Sequence, residues 1–212
     1  MRFILNASNT FCISLDARWL RMSDRLDALG IECERWIAST PDKVVDRFAG
    51  YLNGGQRACG QSHVNVWRTM IERGLEYALI LEDDAMFARD WREKLDLLGG
   101  VDDPEWDAVF LNASEPIIPE DTWVVAREQY LTGAYIISRR GAQCLLSWYA
   151  NEFASSDWMT SRLQTRGHSY SYFPWLVIQE GLESTIGSGV EADHAKVIRC
   201  LGEERMKLYY TF

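Results

Sequence analysis

Long apolar runs are missing from this chain of 212 residues. Nothing in it approaches the roughly 18 consecutive apolar residues of a membrane-spanning helix. The opening Met1-Arg-Phe-Ile-Leu-Asn-Ala-Ser8 also lacks the apolar core of a secretion signal. Histidine is scarce: only His63, His168 and His194 occur, none in an HExxH pattern, which argues against a zinc protease. Five cysteines, at 12, 33, 59, 144 and 200, form no CxxC and no close pair. They read as buried thiols of a reducing, cytoplasmic setting rather than as a disulfide framework. Phosphate-cradling glycine patterns are absent too. The first strand runs into Ser14-Leu-Asp-Ala-Arg18 instead of GxGxxG, Asn53-Gly-Gly55 is not followed by GK[ST], and no GxSxG elbow occurs. Positive charge is in deficit, 22 basic against 31 acidic residues for a formal charge of −9. That balance disfavours non-specific binding to nucleic acid or an anionic membrane.

What is present describes an ordinary globular chain, with 47% apolar and 25% charged residues. Its length suits one domain able to bury a core without structural staples. Nine Trp, nine Tyr and eight Phe suggest a packed core plus aromatic surfaces in a groove. The acidity is concentrated: thirteen acids face three bases between Glu82 and Asp121. An anionic ligand approaching there needs an intervening cation, although Asp102, Asp103, Glu105 and Glu115 read more simply as a solubilising face. Asn6-Ala-Ser and Asn112-Ala-Ser match a glycosylation sequon, which matters only for a lumenal chain.

Hydrophobic spacing predicts strands at 10–15, 33–38, 77–81, 107–111, 122–126, 131–137 and 169–173. Helices are expected at 17–29, 42–48, 61–72, from Trp91 to a Gly99-Gly100 stop, 139–153 and 158–163, with a helical or irregular tail from Ala195. The short helix from Asp42 would bury Val44, Val45 and Phe48, and Asn53-Gly54-Gly55 would be a turn. Alternating strands and helices imply an α/β fold with a mostly parallel central sheet covered on both faces. The second half loses that alternation and reads as a mixed, added lobe.

The richest local feature is the apolar strand 77–81 emptying into Glu82-Asp83-Asp84. Three acids fixed at a buried strand end repel one another and need a counter-ion, ordered donors or exposure. A hard divalent cation answers that need; a helix N-terminus answers it equally well. Ligands of such sheets bind beyond the carboxyl ends of strands, where these acids stand. Carboxylate–metal chemistry then leaves two live classes, phosphoryl hydrolysis and transfer from a nucleotide-activated donor.

The ordered motifs resemble glycosyltransferase family 25, the lipopolysaccharide and collagen galactosyltransferase group. The resemblance runs through Cys12-Ile-Ser-Leu-Asp16 with Arg18, Arg21 and Arg25, then Gly60-Gln-Ser62-His63 and Trp67. It continues with Leu79-Ile-Leu-Glu82-Asp83-Asp84, Gly133-Ala-Tyr135-Ile136-Ile-Ser138 before Arg139-Arg-Gly-Ala-Gln, then Asp157 and a Gln179…Ser184 stretch. Cys12-Ile-Ser departs from the family's usual Ile-Asn, and the chain is shorter than most members. It could be one domain of a larger enzyme.

This resemblance implies a GT-A type fold, residues 1–212 forming one transferase domain. About 1–111 would be the nucleotide-sugar half and about 112–212 the acceptor half. It implies a UDP-glucose or UDP-galactose donor, a Mn²⁺ or Mg²⁺ ion bridging the diphosphate, and a glycan or glycoprotein acceptor. Glu82-Asp83-Asp84 would be its version of the Asp-x-Asp signature, with Asp84 a direct ligand, Glu82 on ribose or metal-bound water, and Asp83 orienting the loop. His194 would be a third ligand. Ser14, Leu15 and Asp16 could meet the base or ribose, and Arg18 the base or diphosphate, unless it is a surface charge. His63 could touch the donor or be a buried hydrogen-bonding residue; Trp67 reads as core and His168 as structural or exposed. Asp157 is the candidate base for an inverting transfer, or an N-cap of the helix after it. An inactive carbohydrate-binding relative and a metal-dependent phosphohydrolase remain the alternatives.

Overall fold

The computed structural model describes residues 1–181 and 190–210, side chains of 190–194 excepted. Among the described residues nine strands and six α-helices follow in the order β1 (Thr10–Ser14), α1 (Asp16–Ala28), β2 (Glu34–Ile37), α2 (Gly54–Glu72), β3 (Tyr77–Glu82), β4 (Ala85–Phe87), α3 (Trp91–Leu97), β5 (Ala108–Phe110), β6 (Trp123–Val125), β7 (Ala134–Ser138), α4 (Arg139–Trp148), α5 (Ser156–Leu163), β8 (Ser169–Tyr172), β9 (Val177–Gln179) and α6 (Val190–Met206). Seven strands form one sheet in the order β2-β1-β3-β7-β5-β8-β6, and β4 pairs with β9 in a small separate ribbon. Strands β2, β1, β3, β5 and β8 run one way; β7 and β6 run against them. The fold is therefore α/β with a mostly parallel sheet flanked by helices, as the alternation predicts. The second half joins that same sheet, because β7 and β8 flank β5 within it.

The pleat divides the strands between two cores. Leu79 and Leu81 of β3 point to the side packed by α1, α3 and the β4–β9 ribbon. Ala78 and Ile80 point to the side packed by α2 and α4. The same alternation holds in β7, with Ala134 and Ile136 on the first side and Tyr135 and Ile137 on the second. A strand covered on both faces reads as a continuous apolar run, which is why 77–81 carries no charge.

Two expectations are corrected. The helix foreseen at 61–72 begins seven residues earlier, at Gly54. Asn53 caps it by accepting from Gln56 N–H while the Gln56 side chain accepts from Asn53 N–H, so the two glycines lie inside the first turn rather than in a loop. The helix expected at 42–48 is only a 3₁₀ turn at Pro41–Lys43. Val45 is exposed there, while Phe48 is buried through a bridge to Phe153. Close approach explains one glycine: a Cβ at Gly141 would lie 2.5 Å from the Asp107 carbonyl oxygen, which is how α4 packs so tightly on β5. His168 pairs with Asp103 and Trp67 is fully buried, both structural as expected.

Candidate functional site

Strand parity builds the first part of the site. Glu82 follows Ala78 and Ile80 on the α2 side, so its side chain turns toward that helix at the carboxyl end of β3. There Glu82 Oε1 accepts from His63 Nε2 at 3.1 Å and from Thr132 Oγ1 at 3.0 Å. An ionised carboxylate only accepts, so His63 carries its proton on Nε2. Its Nδ1 then faces the Tyr135 hydroxyl at 2.9 Å, and Tyr135 itself accepts from Trp67 Nε1 at 2.9 Å. The relay Trp67→Tyr135→His63→Glu82 thus satisfies three fully buried side chains and ends on half-buried Glu82. Burial pushes the Glu82 carboxyl up, but the hydrogen bonds from His63 and Thr132 and the charge of Arg18 outweigh it and hold Glu82 below the usual carboxylate range.

Asp83 and Asp84 form the turn between β3 and β4. Asp83 points at the end of β1: its carboxylate accepts from Leu15 N–H at 2.9 Å and from Arg18 Nη1 at 3.3 Å. Asp84 is held less well. One oxygen meets Gln179 Nε2 at 3.4 Å, and the other, Oδ1, is buried without a hydrogen-bond partner. Burial, followed by the charges of Glu82 and Asp83, pushes the Asp84 carboxyl up to about 7. The turn is clamped from behind. Fully buried Arg25 donates to the Ala85 carbonyl at 2.7 Å and to Glu180 at 2.9 Å, and Glu180 N–H reaches the Asp84 carbonyl at 2.9 Å.

The loop before β7 supplies the opposite wall. Leu131 there adopts φ of 88°, a costly conformation for a side-chain-bearing residue. The next residue, Thr132, bridges Glu82 and Ser156 Oγ, the latter at 3.1 Å. Gly133 follows because space requires it: a Cβ would meet Asn112 Oδ1 at 2.7 Å and Gln179 Cγ at 2.9 Å. Ser156 opens α5 and brings Asp157 beside the cluster. The Cys59 thiol is pushed well up, by burial first and then by Glu82, with Asp157 and Asp84 adding to it. Asp157 is not the helix cap; Ser155 holds that position, and Asp157 Oδ1 accepts from Trp158 N–H at 2.9 Å within the first turn.

Of the residues expected from sequence, Leu15, Arg18, His63, Glu82, Asp83 and Asp84 meet at one strand end. Ser14 is buried on the same strand, its hydroxyl spent on the Leu15 carbonyl. Asp16 lies on the rim, its largely exposed side chain paired with Arg35. The His194 side chain lies outside the described residues. Sequence reading missed Cys59, Thr132 and Gln179 as neighbours of the acids; Cys59 was legible only as one helical turn before His63. The Asn112 sequon is sterically closed, since Asn112 is buried and its amide bonds Gly133 N–H and the Val177 carbonyl.

Two positions could take a cation. Cys59, His63 and Glu82 offer ligand atoms within 4.8 Å of one another. Those groups already satisfy one another through hydrogen bonds. Asp84 offers instead a desolvated carboxylate with an orphaned oxygen, the condition a hard divalent ion relieves. The donor set at the turn fits such an ion.

Comparison with known proteins agrees with these motifs. Residues 43–115 match the model of glycosyltransferase family 25 (LPS biosynthesis protein), a segment containing α2 and the acidic turn. Procollagen galactosyltransferase 1-B of Xenopus laevis is 34% identical over 109 residues, covering 45% of this chain and 18% of that protein. The inactive glycosyltransferase 25 family member 3 of Mus musculus is 32% identical over 113 residues, covering 48% and 19%. The chain thus spans about a fifth of the length of these relatives. A crystal structure of a glycosyltransferase involved in glycosylation of the PBCV-1 major capsid overlaps 88% of this chain and 99% of its own, with a TM-score of 0.46 and 9% identity. The sequence matches support assignment of the chain to glycosyltransferase family 25.

Proposed function

We propose, on the premise of that family assignment, that this chain is a metal-dependent transferase domain moving galactose or glucose from a UDP-sugar to a hydroxyl of a glycan or glycoprotein. The buried, unpartnered Asp84 oxygen at the carboxyl end of β3 carries the reading. A charge so poorly compensated persists where a cation is to be bound.

Asp84 would hold the ion, with Glu82 and His194 the further candidates. Bound Mn²⁺ or Mg²⁺ would neutralise charge developing on the departing nucleoside diphosphate. The protein's own groups do the rest. The relay through His63 keeps Glu82 ionised and aimed at the site. Arg18, tied to Asp83, brings a cation to the end of β1, where Leu15 would border the nucleotide. Asp157, with one oxygen held by its own helix, would take the proton of the attacking acceptor hydroxyl through the other. Inversion at the sugar carbon follows from that single displacement. A cytoplasmic setting belongs to the same proposal, supported by five cysteines without paired spacing.

Asp84→Ala should abolish Mn²⁺-dependent release of UDP from a UDP-hexose in a folded protein. Full metal-dependent turnover in that variant would refute the assignment. The inactive reading is kept because some relatives bear that name; it expects UDP or glycan binding without transfer. Phosphate release from simple phosphomonoesters would favour a hydrolase.

A further inference from the structure

A groove of about 700 Å³ that the donor reading does not use is lined by Tyr130 and Trp158, each two residues along the chain from the bonded pair Thr132 and Ser156. Its walls come from the elements that build the site. The loop before β7 sends Tyr130 into the groove and Thr132 to Glu82, while α5 sends Trp158 into the groove and Ser156 to Thr132. Tyr130 and Trp158 stack nearly parallel, at 14° with centroids 6.0 Å apart, and Trp158 is 56% exposed. A large indole left in solvent on a concave wall offers a flat apolar face of the kind a sugar ring covers.

The charge of the groove is opposite to that of the chain as a whole. Arg127, Arg162 and Arg166 line it with Glu128 as the single acid, in a chain of net charge −9. Among the described residues neither Arg127 nor Arg162 has an ion pair. Arg162 is instead laid over the Trp148 and Tyr149 rings, at 5.5 and 5.6 Å, which fixes its guanidinium without neutralising it. Arg166 is oriented by buried Asp107 through Nε at 2.8 Å. Arginines held by stacking and second partners are pre-organised for carboxylate, sulfate or phosphate oxygens.

We propose that this groove is an acceptor subsite for an acidic glycan, Tyr130 and Trp158 covering a sugar face while Arg127 and Arg162 bind an anionic substituent. The proposal rests on the transferase reading for the word acceptor, but glycan binding is measurable without donor or metal.

The test is calorimetric titration of the whole chain with digalacturonate, a sulfated galactose disaccharide, the neutral galactose disaccharide and inorganic phosphate. At least one acidic disaccharide should bind tenfold or more tighter than the neutral one, with phosphate alone weaker than either acidic sugar. The arm that binds tighter identifies the anion. The preference should vanish in an Arg127→Gln/Arg162→Gln variant of unchanged melting temperature, and Trp158→Ala should weaken all the disaccharides. Equal binding of acidic and neutral sugars, a preference that survives the double variant, phosphate binding as tightly as the sugars, or no glycan binding at all would each overturn it. Failure of UDP and Mn²⁺ to bind the wild type strikes the transferase reading instead.

Discussion

Asp84 is the residue where folding and chemistry pull in opposite directions. Its carboxyl is raised to about 7 by burial and by Glu82 and Asp83, so the metal-free folded chain holds a proton there that the unfolded chain has already lost. Because the folded state binds more protons between about pH 4 and 7, this group makes stability fall as pH rises through that window. Asp84→Asn should therefore stabilise the metal-free protein at pH 8, by roughly 1–3 kcal/mol, and leave it unchanged near pH 4. Melting curves at the two pH values check this; a variant less stable than wild type at pH 8 would contradict it. Arg25 shows the reverse case. It is fully buried against Glu180 and the Ala85 carbonyl, so Arg25→Ala should cost about 1–3 kcal/mol by leaving that carbonyl and one Glu180 oxygen without their donor, Arg21 still facing the other oxygen. Urea unfolding measures that cost.

At the scale of elements, what was legible depended on how local the signal is. The run 77–81 announces a two-sided strand, and Glu82-Asp83-Asp84 announces a crowded end, from sequence neighbours alone. The start of α2 was not legible from apolar spacing, because its first turn is Gly54-Gly55-Gln56 and its stability comes from the reciprocal Asn53–Gln56 cap. Asn53→Ala should accordingly lower stability by about 1 kcal/mol, read as a drop in urea midpoint without change of slope. An unchanged midpoint would mean that packing of Val64, Trp67 and Met70 alone holds the helix. The β4–β9 ribbon was likewise invisible in advance. Its strands are three residues each and lie ninety positions apart, yet they set Gln179 beside Asp84.

Across the whole molecule, the site is assembled where five separated stretches converge on one sheet end: the start of α1 with Arg18, α2 with His63, β3 with its acids, the loop before β7 with Thr132, and the start of α5 with Ser156. The order of motifs along the chain disclosed the acidic side of the site, since Leu15, Arg18, His63 and the acids all lie within the first half. The opposite wall was illegible because it depends on β7 inserting antiparallel between β3 and β5, a topological fact that no local pattern carries. That insertion brings Tyr135 onto His63 and Thr132 onto Glu82, binding the two halves through one hydrogen-bonded relay.

The central claim is that the acidic turn binds a divalent ion and, through it, a nucleoside diphosphate. Calorimetric titration of UDP into the purified chain, with and without Mn²⁺, for wild type and Asp84→Asn, tests it most directly. Wild type should bind UDP at least tenfold more tightly with Mn²⁺ than without it, and Asp84→Asn should lose that increment while keeping its fold. Metal-independent UDP binding, or an undiminished Mn²⁺ increment in Asp84→Asn, would contradict it.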